Sequence, residues 1–499
     1  MADYKDSNTR QALWLVVGQS FTFLFALFTA PILSRYLNKT EYGTYRQILY
    51  VYTVLHTLLV MGLPNVFLYY MPRLEIGQQK MLVQRMTMFF IFLGVVFFVI
   101  LYSMAGLISR WLNNPELTVG LRLFSVFPMF TMASTGVEAI YTSLRKTREV
   151  AVYQVLSRSF MFLCIVLPVI ILHTGYREAI IGWGVAAFLT FLVAMFMKGK
   201  PYKKVQAERI PKMSHEIFSL VMPLMGVSIA GFFINAADSF FVSRYFGTQT
   251  FAELSNGYFS IPVVTILVSS LNSLLLPLLS NADANNNMPS ALQSYTNAVK
   301  RTAIMVMPLL MFCLFFADDL MVALFGRQYE ASASYFRIYI LRDFAKVFTV
   351  FIALTAFGFQ KMYMKIFMVG AAFTWIADCI LVNFSATPVL ITCVSTIFWI
   401  SSVVVGQIYI RRKKNISLVP RKVLLSVARI LAHSFVILFL LSSARYTVFA
   451  NMNVFVSIVV FASLFYVLLI PTGKFVKIDY AVALESLPLI GKLKKMSRL

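Results

Sequence analysis

Long apolar segments separated by short polar connections recur along the entire chain. Two of the most apolar stretches, Met88–Leu101 and Phe455–Leu469, lie inside longer segments of the same kind. A helix needs about 20 predominantly apolar residues to cross the roughly 30 Å of hydrocarbon in a bilayer. A transmembrane barrel would instead alternate apolar and polar positions in segments of about ten residues. The pattern therefore predicts an all-α integral membrane protein.

The apolar segments predict about fourteen transmembrane helices. They are placed near residues 11–33, 46–70, 83–107, 119–143, 150–172, 179–197, 217–243, 254–279, 297–317, 333–357, 363–383, 387–410, 422–441 and 452–470. The connections are at most about twenty residues long, whereas an independent soluble domain requires about 50 or more. Any function is therefore expected within the helical bundle.

The positive charge of the chain follows the predicted topology. The 44 Lys and Arg exceed the 20 Asp and Glu by +24, which in a soluble protein would indicate nucleic-acid binding. With the N-terminus inside, most of these cations fall on the cytoplasmic side. The basic loops Lys198–Lys212 and Arg411–Lys422, and the tail Lys474–Arg498, are expected to lie against anionic lipid headgroups. We predict a multi-pass protein of the cytoplasmic (inner) membrane with both termini inside and no nucleic-acid partner.

The sequence offers little for metal, nucleotide or hydrolytic chemistry. Its four cysteines lie in predicted spans without a CxxC spacing, which argues against a metal site or a disulfide framework. No GxxxxGKS or GxxxxGKT phosphate loop occurs. The four histidines are scattered, and no long outer loop carries paired carboxylates, which weakens the hypothesis of a membrane glycosyltransferase or ligase. We expect no cofactor and no enzymatic activity.

An internal repeat divides most of the chain into two similar halves. Ser34–Thr40 (SRYLNKT) recurs as Ser243–Gln249 (SRYFGTQ), and Gly120–Phe127 aligns with Tyr335–Arg342. Six crossings return a chain to its starting side, so two six-helix lobes would be related by a parallel pseudo-twofold axis. The predicted organisation is a lobe at 1–197, a basic cytoplasmic linker at 198–216, a second lobe at 217–410, two additional helices at 411–470 and a basic cytoplasmic tail at 471–499.

Three segments resemble the polysaccharide flippases. They are APILSRYLNKTEYGTY at Ala30–Tyr45, YYMPR at Tyr69–Arg73 and ALFGRQYEASASYFRI at Ala323–Ile338. In these segments and in its span count, the chain is similar to the Wzx-type exporters of O-antigen and capsule. Their superfamily, the multidrug/oligosaccharidyl-lipid/polysaccharide flippases, also holds the multidrug and toxic compound extruders (MATE) and the lipid II flippases.

The resemblance implies a MATE-like fold in which two six-helix lobes surround a central cavity. It also implies a function in polysaccharide biosynthesis, such as that of O-antigen and lipopolysaccharide. The cargo would be an undecaprenyl-pyrophosphate oligosaccharide, flipped from the inner to the outer leaflet by alternating access. Its partners would be that lipid-linked oligosaccharide and membrane lipids, and partnership with other polysaccharide assembly proteins stays open.

Arginine suits a pyrophosphate because its planar fork binds two oxygens at once. Arg35 and Arg244 end the first spans of the two halves at equivalent repeat positions, and both are candidate substrate-binding residues. Snorkelling to lipid headgroups explains them equally well. Arg73 at the inner end of the second span is a further candidate, although positive-inside anchoring is the stronger interpretation there. The repeat-related pair Arg122 and Arg337 admits the same two interpretations.

A charge at a helix centre costs at least about 2.5–3.5 kcal/mol and must face protein or water. Arg342 and Lys346 lie one turn apart in the tenth predicted span, which favours an anion-binding cavity. In the competing interpretation, Arg342 forms a structural ion pair with Asp238 or Asp378. Arg158 in the fifth span is a less clear case of the same kind.

Energy coupling is expected to involve a membrane carboxylate that binds H⁺ or Na⁺. Asp238 in the seventh span is the first candidate, with Asn235 three residues earlier on the same helical face. A structural role as a partner of Arg244 or Arg342 is equally compatible with the sequence. Asp378 and Glu138 are weaker coupling candidates.

Several functional alternatives stay open. A gradient-driven multidrug antiporter would favour an acidic cavity for organic cations, whereas the candidate cavity residues here are basic. A lipid II-type flippase carries the same pyrophosphate as the predicted cargo. A scaffold for a polysaccharide assembly complex, without transport, is also compatible with the sequence. The identity of the sugar is not determined by these residues.

Overall fold

The computed structural model describes residues 3–60, 63–210, 214–285, 287–384 and 387–480. These residues form α-helices joined by short turns, and no β-strand occurs among them. Eleven helical segments of the described residues are long and apolar enough to cross a membrane. The predicted all-α membrane fold is therefore confirmed, and these helices are compatible with the predicted count of about fourteen spans. Residues 211–213 of the predicted linker and the tail beyond residue 480 lie outside the described residues.

The described residues form two compact units that divide between Ala252 and Glu253, inside one long helix. In chain order, the helices that begin in the first unit are α1 (Asp3–Tyr36), α2 (Lys39–Val60), α3 (Asn65–Tyr70), α4 (Ile76–Trp111), α5 (Leu117–Phe124), α6 (Val126–Ser134), α7 (Val137–Ser143), α8 (Thr147–Met161), α9 (Leu167–Leu172), α10 (Tyr176–Gly199) and α11 (Ser214–Gly257). A π-helical turn, Phe162–Val166, joins α8 to α9. Helix α11, with which the predicted second lobe begins, belongs to the first unit for most of its length.

Aromatic rings interlock in the core of the first unit. The ring of Tyr52 lies 5.6 Å from that of Phe97 and 5.2 Å from that of Phe127, and Trp183 stands edge-on to Phe127 at 4.8 Å. In lipid, helices associate through van der Waals packing rather than through the hydrophobic effect. Close ring contacts between α2, α4, α6 and α10 therefore contribute to the attraction that holds this bundle together.

The second unit contains the remaining helices. They are α12 (Pro262–Ala284), α13 (Met288–Phe315), α14 (Ala317–Phe325), α15 (Ser332–Lys346), α16 (Val350–Ala356), α17 (Gln360–Asn383), α18 (Pro388–Lys414), α19 (Arg421–Thr447) and α20 (Val454–Thr472). Helices α19 and α20, the two additional spans, are joined to α14 by a buried ion pair. Arg445 donates to both carboxylate oxygens of Asp319 at 3.0 Å, and Ser457 donates to the same carboxylate at 3.1 Å.

Backbone breaks occur inside two of the predicted spans. The first of them, as Leu117–Ser143, is still long and apolar enough to cross a membrane as one segment. The span near 119–143 is divided into α5, α6 and α7, and Gly136 before α7 has a left-handed φ of 96°. The span near 333–357 is divided into α15 and α16, and Thr349 before α16 has a φ of 45°. Hydropathy reports apolar composition but not backbone continuity, so it cannot detect such breaks. Discontinuous helices at corresponding places of two repeats are typical of transporters.

Candidate functional site

The repeated SRY segments have the same structural pattern in both copies. Ser34 and Ser243 are fully buried, whereas the tyrosines that follow them, Tyr36 and Tyr245, are 48% and 52% exposed. In the first copy α1 ends at Tyr36 and α2 begins at Lys39. In the second copy α11 is interrupted at Gly247, whose φ of 84° only glycine adopts readily. The repeat in the sequence thus corresponds to a repeated helix–break–helix element.

A buried polar network lies beside these segments within the first unit. Gln47 donates to Ser243 Oγ at 2.7 Å and accepts from Asn114 Nδ2 at 2.6 Å. Asn114 Nδ2 also donates to Thr44 Oγ1 at 3.0 Å. Hydrogen bonds between side chains of different helices replace water where none is available. This network therefore fixes α2, α11 and the turn after α4 in one arrangement.

Arg35 and Arg244 lie at the surface next to that network. Arg35 is exposed, and Arg244 is partly exposed. Arg244 Nη1 donates at 2.7 Å to the carbonyl oxygen of Trp111, the last residue of α4, and its guanidinium lies 5.5 Å from the ring of Tyr245. Capping of a helix C-terminus by a cation is favourable. Both side chains keep accessible surface through which an anion can approach.

Two of the other predicted arginines in the first unit also lie at the surface. The guanidinium of Arg73 stacks on the ring of Tyr69 at 3.6 Å and donates to the Tyr69 carbonyl at 3.1 Å. Arg122 lies 5.4 Å from the ring of Tyr102. Stacking of this kind orients a guanidinium without occupying its N–H donors. The structure does not place Arg73 and Arg122 in the cavity described next.

A cavity of about 590 Å³ opens within the first unit at the break between α6 and α7. Its polar lining includes His56, Glu138, Arg158 and Thr190. Glu138 accepts from Gln154 Nε2 at 2.9 Å, and Arg158 Nη1 lies 3.5 Å from the Met161 sulfur. The cavity size falls in the range of small-molecule binding sites. Glu138 and Arg158, which were the weaker candidates in the sequence analysis, thus line one cavity.

Thr190 was not predicted as a site residue. It is 5% exposed, and its hydroxyl has no hydrogen-bond partner among the described residues. A buried hydroxyl without a partner is unfavourable and points to a bound polar group. Since Thr190 lies in an otherwise ordinary apolar span, no sequence signal distinguishes it. The one signal for the cavity is Gly136 in an apolar run, followed by the acidic Glu138.

The predicted coupling residues of the first unit lie on α11. Asp238 is fully buried, and Asn235 donates to the Gly231 carbonyl at 3.0 Å. Tyr50, on the neighbouring α2, donates to the Ala236 carbonyl at 3.0 Å and lies close enough to Asp238 to interact with it electrostatically. The structure thus places Asp238 in the interior, where a charge must be compensated. Its role in coupling stays a prediction.

In the second unit, Arg342 is enclosed rather than open. It is 2% exposed, and its guanidinium donates to Thr396 Oγ1 at 2.8 Å and to Ser395 Oγ at 2.5 Å. The rings of Tyr258 and Tyr339 lie 5.2 and 5.1 Å from the guanidinium carbon. In this conformation Arg342 joins α15 to α18 through hydroxyl groups. Its place in an anion-binding cavity stays a prediction.

The remaining candidates of the second unit have local carboxylate partners or are buried. Lys346 Nζ lies 2.7 Å from Asp343 Oδ1 on the same helix, a partner the prediction did not consider. Arg337 forms a bidentate ion pair with Asp318 and donates to the Leu314 carbonyl at 3.3 Å. Asp378 is fully buried on α17. These contacts reduce the positive charge that Arg337 and Lys346 present in this conformation.

The fold of the chain is that of known membrane transporters. The lipid II flippase MurJ, in an inward closed conformation, matches with a TM-score of 0.67 at 14% identity, covering 91% of this chain and 99% of MurJ. An inward-facing multidrug resistance MATE transporter of the MOP superfamily matches with a TM-score of 0.63 at 10% identity, covering 80% of this chain and 98% of that one. A MOP superfamily transporter from Pyrococcus furiosus, described as having a binding pocket of reverse polarity, matches with a TM-score of 0.55 at 14% identity, covering 82% and 95%.

Residues 32–334, more than half of the chain, match the family described as "Polysaccharide biosynthesis protein". The chain therefore belongs to the polysaccharide biosynthesis protein family. The resemblance to that family and the MATE-like fold, both predicted from the sequence, are confirmed. No curated protein sequence matches the chain at a significant level.

Proposed function

We propose that this protein is a flippase that moves an undecaprenyl-pyrophosphate-linked oligosaccharide from the inner to the outer leaflet of the cytoplasmic membrane. The observation that carries this proposal is the family match over residues 32–334 in a chain with the fold of a lipid II flippase. A transporter of this fold class works by alternating access around a fixed site. Such a step makes and breaks no covalent bond of the cargo.

Arg35 and Arg244 are proposed to contact the pyrophosphate. Their guanidinium groups are at least partly exposed, follow buried serines and stand beside exposed tyrosines at equivalent positions of the repeat. Arginine binds phosphate oxygens bidentately, and it does so more strongly away from bulk water. Arg73, Arg122, Arg337, Arg342 and Lys346 are proposed as further contacts for the anionic cargo as the protein changes conformation.

The cavity at Gly136 is proposed to receive polar groups of the sugar. Its lining offers the hydroxyls of Thr131, Thr135, Ser157 and Thr190, which can donate to and accept from sugar hydroxyls. Among the described residues that line it, Arg158 and Glu138 supply one charge of each sign. Such a lining suits a polar and largely neutral ligand.

Coupling to a gradient of H⁺ or Na⁺ is proposed to pass through a buried carboxylate. Asp238 is the main candidate because it is fully buried in the first unit close to Asn235, and Asp378, also fully buried, is the weaker candidate in the second unit. A buried carboxylate gains or loses a cation at a free-energy cost that depends strongly on its surroundings. A change of surroundings during transport would therefore drive binding and release.

The test reconstitutes the protein in vesicles that hold labelled undecaprenyl-pyrophosphate oligosaccharide and measures sugar exposure on the far leaflet. We expect the wild type to flip the lipid and Arg35→Ala and Arg244→Ala to be slower by tenfold or more, as for the loss of a charged hydrogen bond. Arg177→Ala is the matched control, because Arg177 is also exposed on the predicted outer side but pairs with Glu116 at 2.8 Å. Equal rates in all four proteins would reject the arginine contacts.

A multidrug antiporter is the second candidate, since a MATE transporter shares the fold with a TM-score of 0.63. The same vesicles distinguish the two functions. Movement of organic cations under an H⁺ or Na⁺ gradient, with the oligosaccharide lipid left in place, would replace the flippase proposal. Flipping of lipid II in preference to the oligosaccharide lipid would instead mean that this protein carries lipid II.

A further inference from the structure

A second cavity, of about 450 Å³, lies in the first unit between α4 and the end of α10. Both segments lie on the predicted cytoplasmic side. Its polar lining comes from Gln84, Arg85, Thr87 and Lys198. We predicted Lys198 as the first residue of a basic cytoplasmic linker that lies against lipid headgroups, but it is the penultimate residue of α10 and only 5% exposed.

Lys198 is a buried cation whose hydrogen-bonding capacity is mostly unused. Its ammonium group donates to the Ala133 carbonyl oxygen at 2.7 Å, and among the described residues no carboxylate forms an ion pair with it. An ammonium group has three N–H donors, and a buried charge without an opposite charge is strongly unfavourable. Thr87 also lines the cavity, and its hydroxyl is buried without a hydrogen-bond partner among the described residues. An anion with acceptor oxygens would supply the opposite charge for Lys198 and a hydrogen-bond partner for Thr87.

The lining changes from polar to apolar along α4. Gln84, Thr87, Met88 and Ile91 lie at spacings of three and four residues, so they share one face of the helix. Met88 and Ile91, on the side farther from the predicted cytoplasm, are 74% and 40% exposed. A ligand that lies along this face has its anionic group near Lys198 and an apolar part on Met88 and Ile91. This is the polarity of a lipid rather than of a small ion.

We infer that the cavity at Lys198 binds the phosphate group of an anionic membrane phospholipid, with its acyl chain along Met88 and Ile91. Lys198 and Arg85 supply the positive charge, and Gln84 and Thr87 supply hydrogen bonds. Basic cavities between membrane helices on the cytoplasmic side are suited to such headgroups. The site is separate from the proposed cargo contacts and does not depend on the flippase function.

The experiment titrates the purified full-length protein with phosphatidylglycerol or phosphatidylcholine and counts bound lipids by native mass spectrometry. We expect phosphatidylglycerol to bind the wild type at least tenfold more tightly than phosphatidylcholine, and Lys198→Met to abolish that preference. Lys203→Met is the matched control, because Lys203 is nearby, exposed and of the same charge. It should retain the preference.

A second variant keeps the test decisive if Lys198→Met folds poorly. Gly199 lines the cavity, and a Cβ added there meets no atom within 4 Å, so Gly199→Leu adds an apolar side chain at the cavity wall without a clash while the charge of Lys198 remains. This variant should lose phosphatidylglycerol binding and keep the melting temperature of the wild type. Unchanged binding in both variants would overturn the inference.

Competition identifies the source of the phosphate. Resistance of bound phosphatidylglycerol to excess inorganic phosphate and to equimolar undecaprenyl diphosphate supports the phospholipid site. Displacement by inorganic phosphate would make the ligand a soluble anion. Preferential displacement by undecaprenyl diphosphate would make the cavity part of the cargo route. Either displacement overturns the phospholipid assignment.

Discussion

Gln249 Nε2 donates a hydrogen bond to Thr40 Oγ1 at 3.0 Å. The two residues are 209 positions apart in the sequence and occupy equivalent positions in the two copies of the internal repeat. Two points related by a twofold axis come into contact only when both lie close to that axis. The hydrogen bond therefore places the local pseudo-twofold axis of the SRY segments between α2 and α11. The bond from Gln47 to Ser243 lies beside it, in the buried polar network.

Replacing Gln47 by Leu should destabilise the first unit. Gln47 is fully buried, and its loss leaves Ser243 and Asn114 with unsatisfied polar atoms. We expect the free energy of unfolding to fall by about 1–3 kcal/mol. Denaturation in mixed micelles measures the change. Gln249→Ala, which removes an exposed hydrogen bond on the same axis, should change it by less than about 0.5 kcal/mol.

Breaking the buried pair of Asp319 and Arg445 should separate the two additional helices from α14. Arg445→Met leaves a buried carboxylate whose remaining side-chain hydrogen bond among the described residues comes from Ser457, at an expected cost of about 3–5 kcal/mol. The double variant Arg445→Met with Asp319→Leu removes both charges and should recover most of the loss. A double variant as unstable as the single one would contradict this account.

The exposed pair of Arg177 and Glu116 provides the comparison. The hydrogen bond from Arg177 holds the pKa of Glu116 below its ordinary value, because it stabilises the carboxylate. A carboxylate with a lowered pKa stabilises the folded protein at pH values above the pKa that it has in the unfolded chain. That contribution disappears as the pH falls through its lower pKa in the folded protein. Since both side chains are half exposed or more, we expect Arg177→Ala to have no measurable effect on stability at neutral pH.

Gly136→Ala should damage both folding and transport. The φ of 96° is unfavourable for alanine, and its Cβ would lie 2.3 Å from a ring carbon of the fully buried Phe67. The backbone strain alone costs about 1–3 kcal/mol. Gly106→Ala is the control, since a Cβ there meets no atom within 4 Å and alanine favours the helix. Thermal melting and the vesicle assay should show a loss for the first variant only.

Thr190→Val should separate stability from transport. The change removes a buried hydroxyl that has no partner among the described residues, so stability should stay equal or rise by about 1 kcal/mol. If the hydroxyl binds the cargo, the flipping rate should fall. Thr374→Val, which removes a hydroxyl bonded to the Ala371 carbonyl elsewhere in the protein, should not slow flipping. Wild-type flipping by Thr190→Val would remove this residue from the proposed cargo site.

The surface arginines show which features of the site can be predicted from the sequence. The repeat predicted that Arg35 and Arg244 occupy equivalent positions, and each of them follows a buried serine and precedes an exposed tyrosine. The pattern could not predict that Arg244 caps α4 at Trp111, which lies 133 residues away. Contacts of that kind depend on which helices become neighbours.

The amino-acid sequence by itself determined the helical membrane fold, the SRY repeat and the family, because apolar length, residue order and short motifs are local properties. The tertiary structure alone decided which charges are enclosed. Arg342 lies among hydroxyls from Ser395 and Thr396, Lys198 is a buried helical residue that lines a cavity, and Thr190 lines another cavity. The free energy of a charged or polar side chain depends on the groups that distant segments bring to it, and hydropathy along one segment contains no information about those groups.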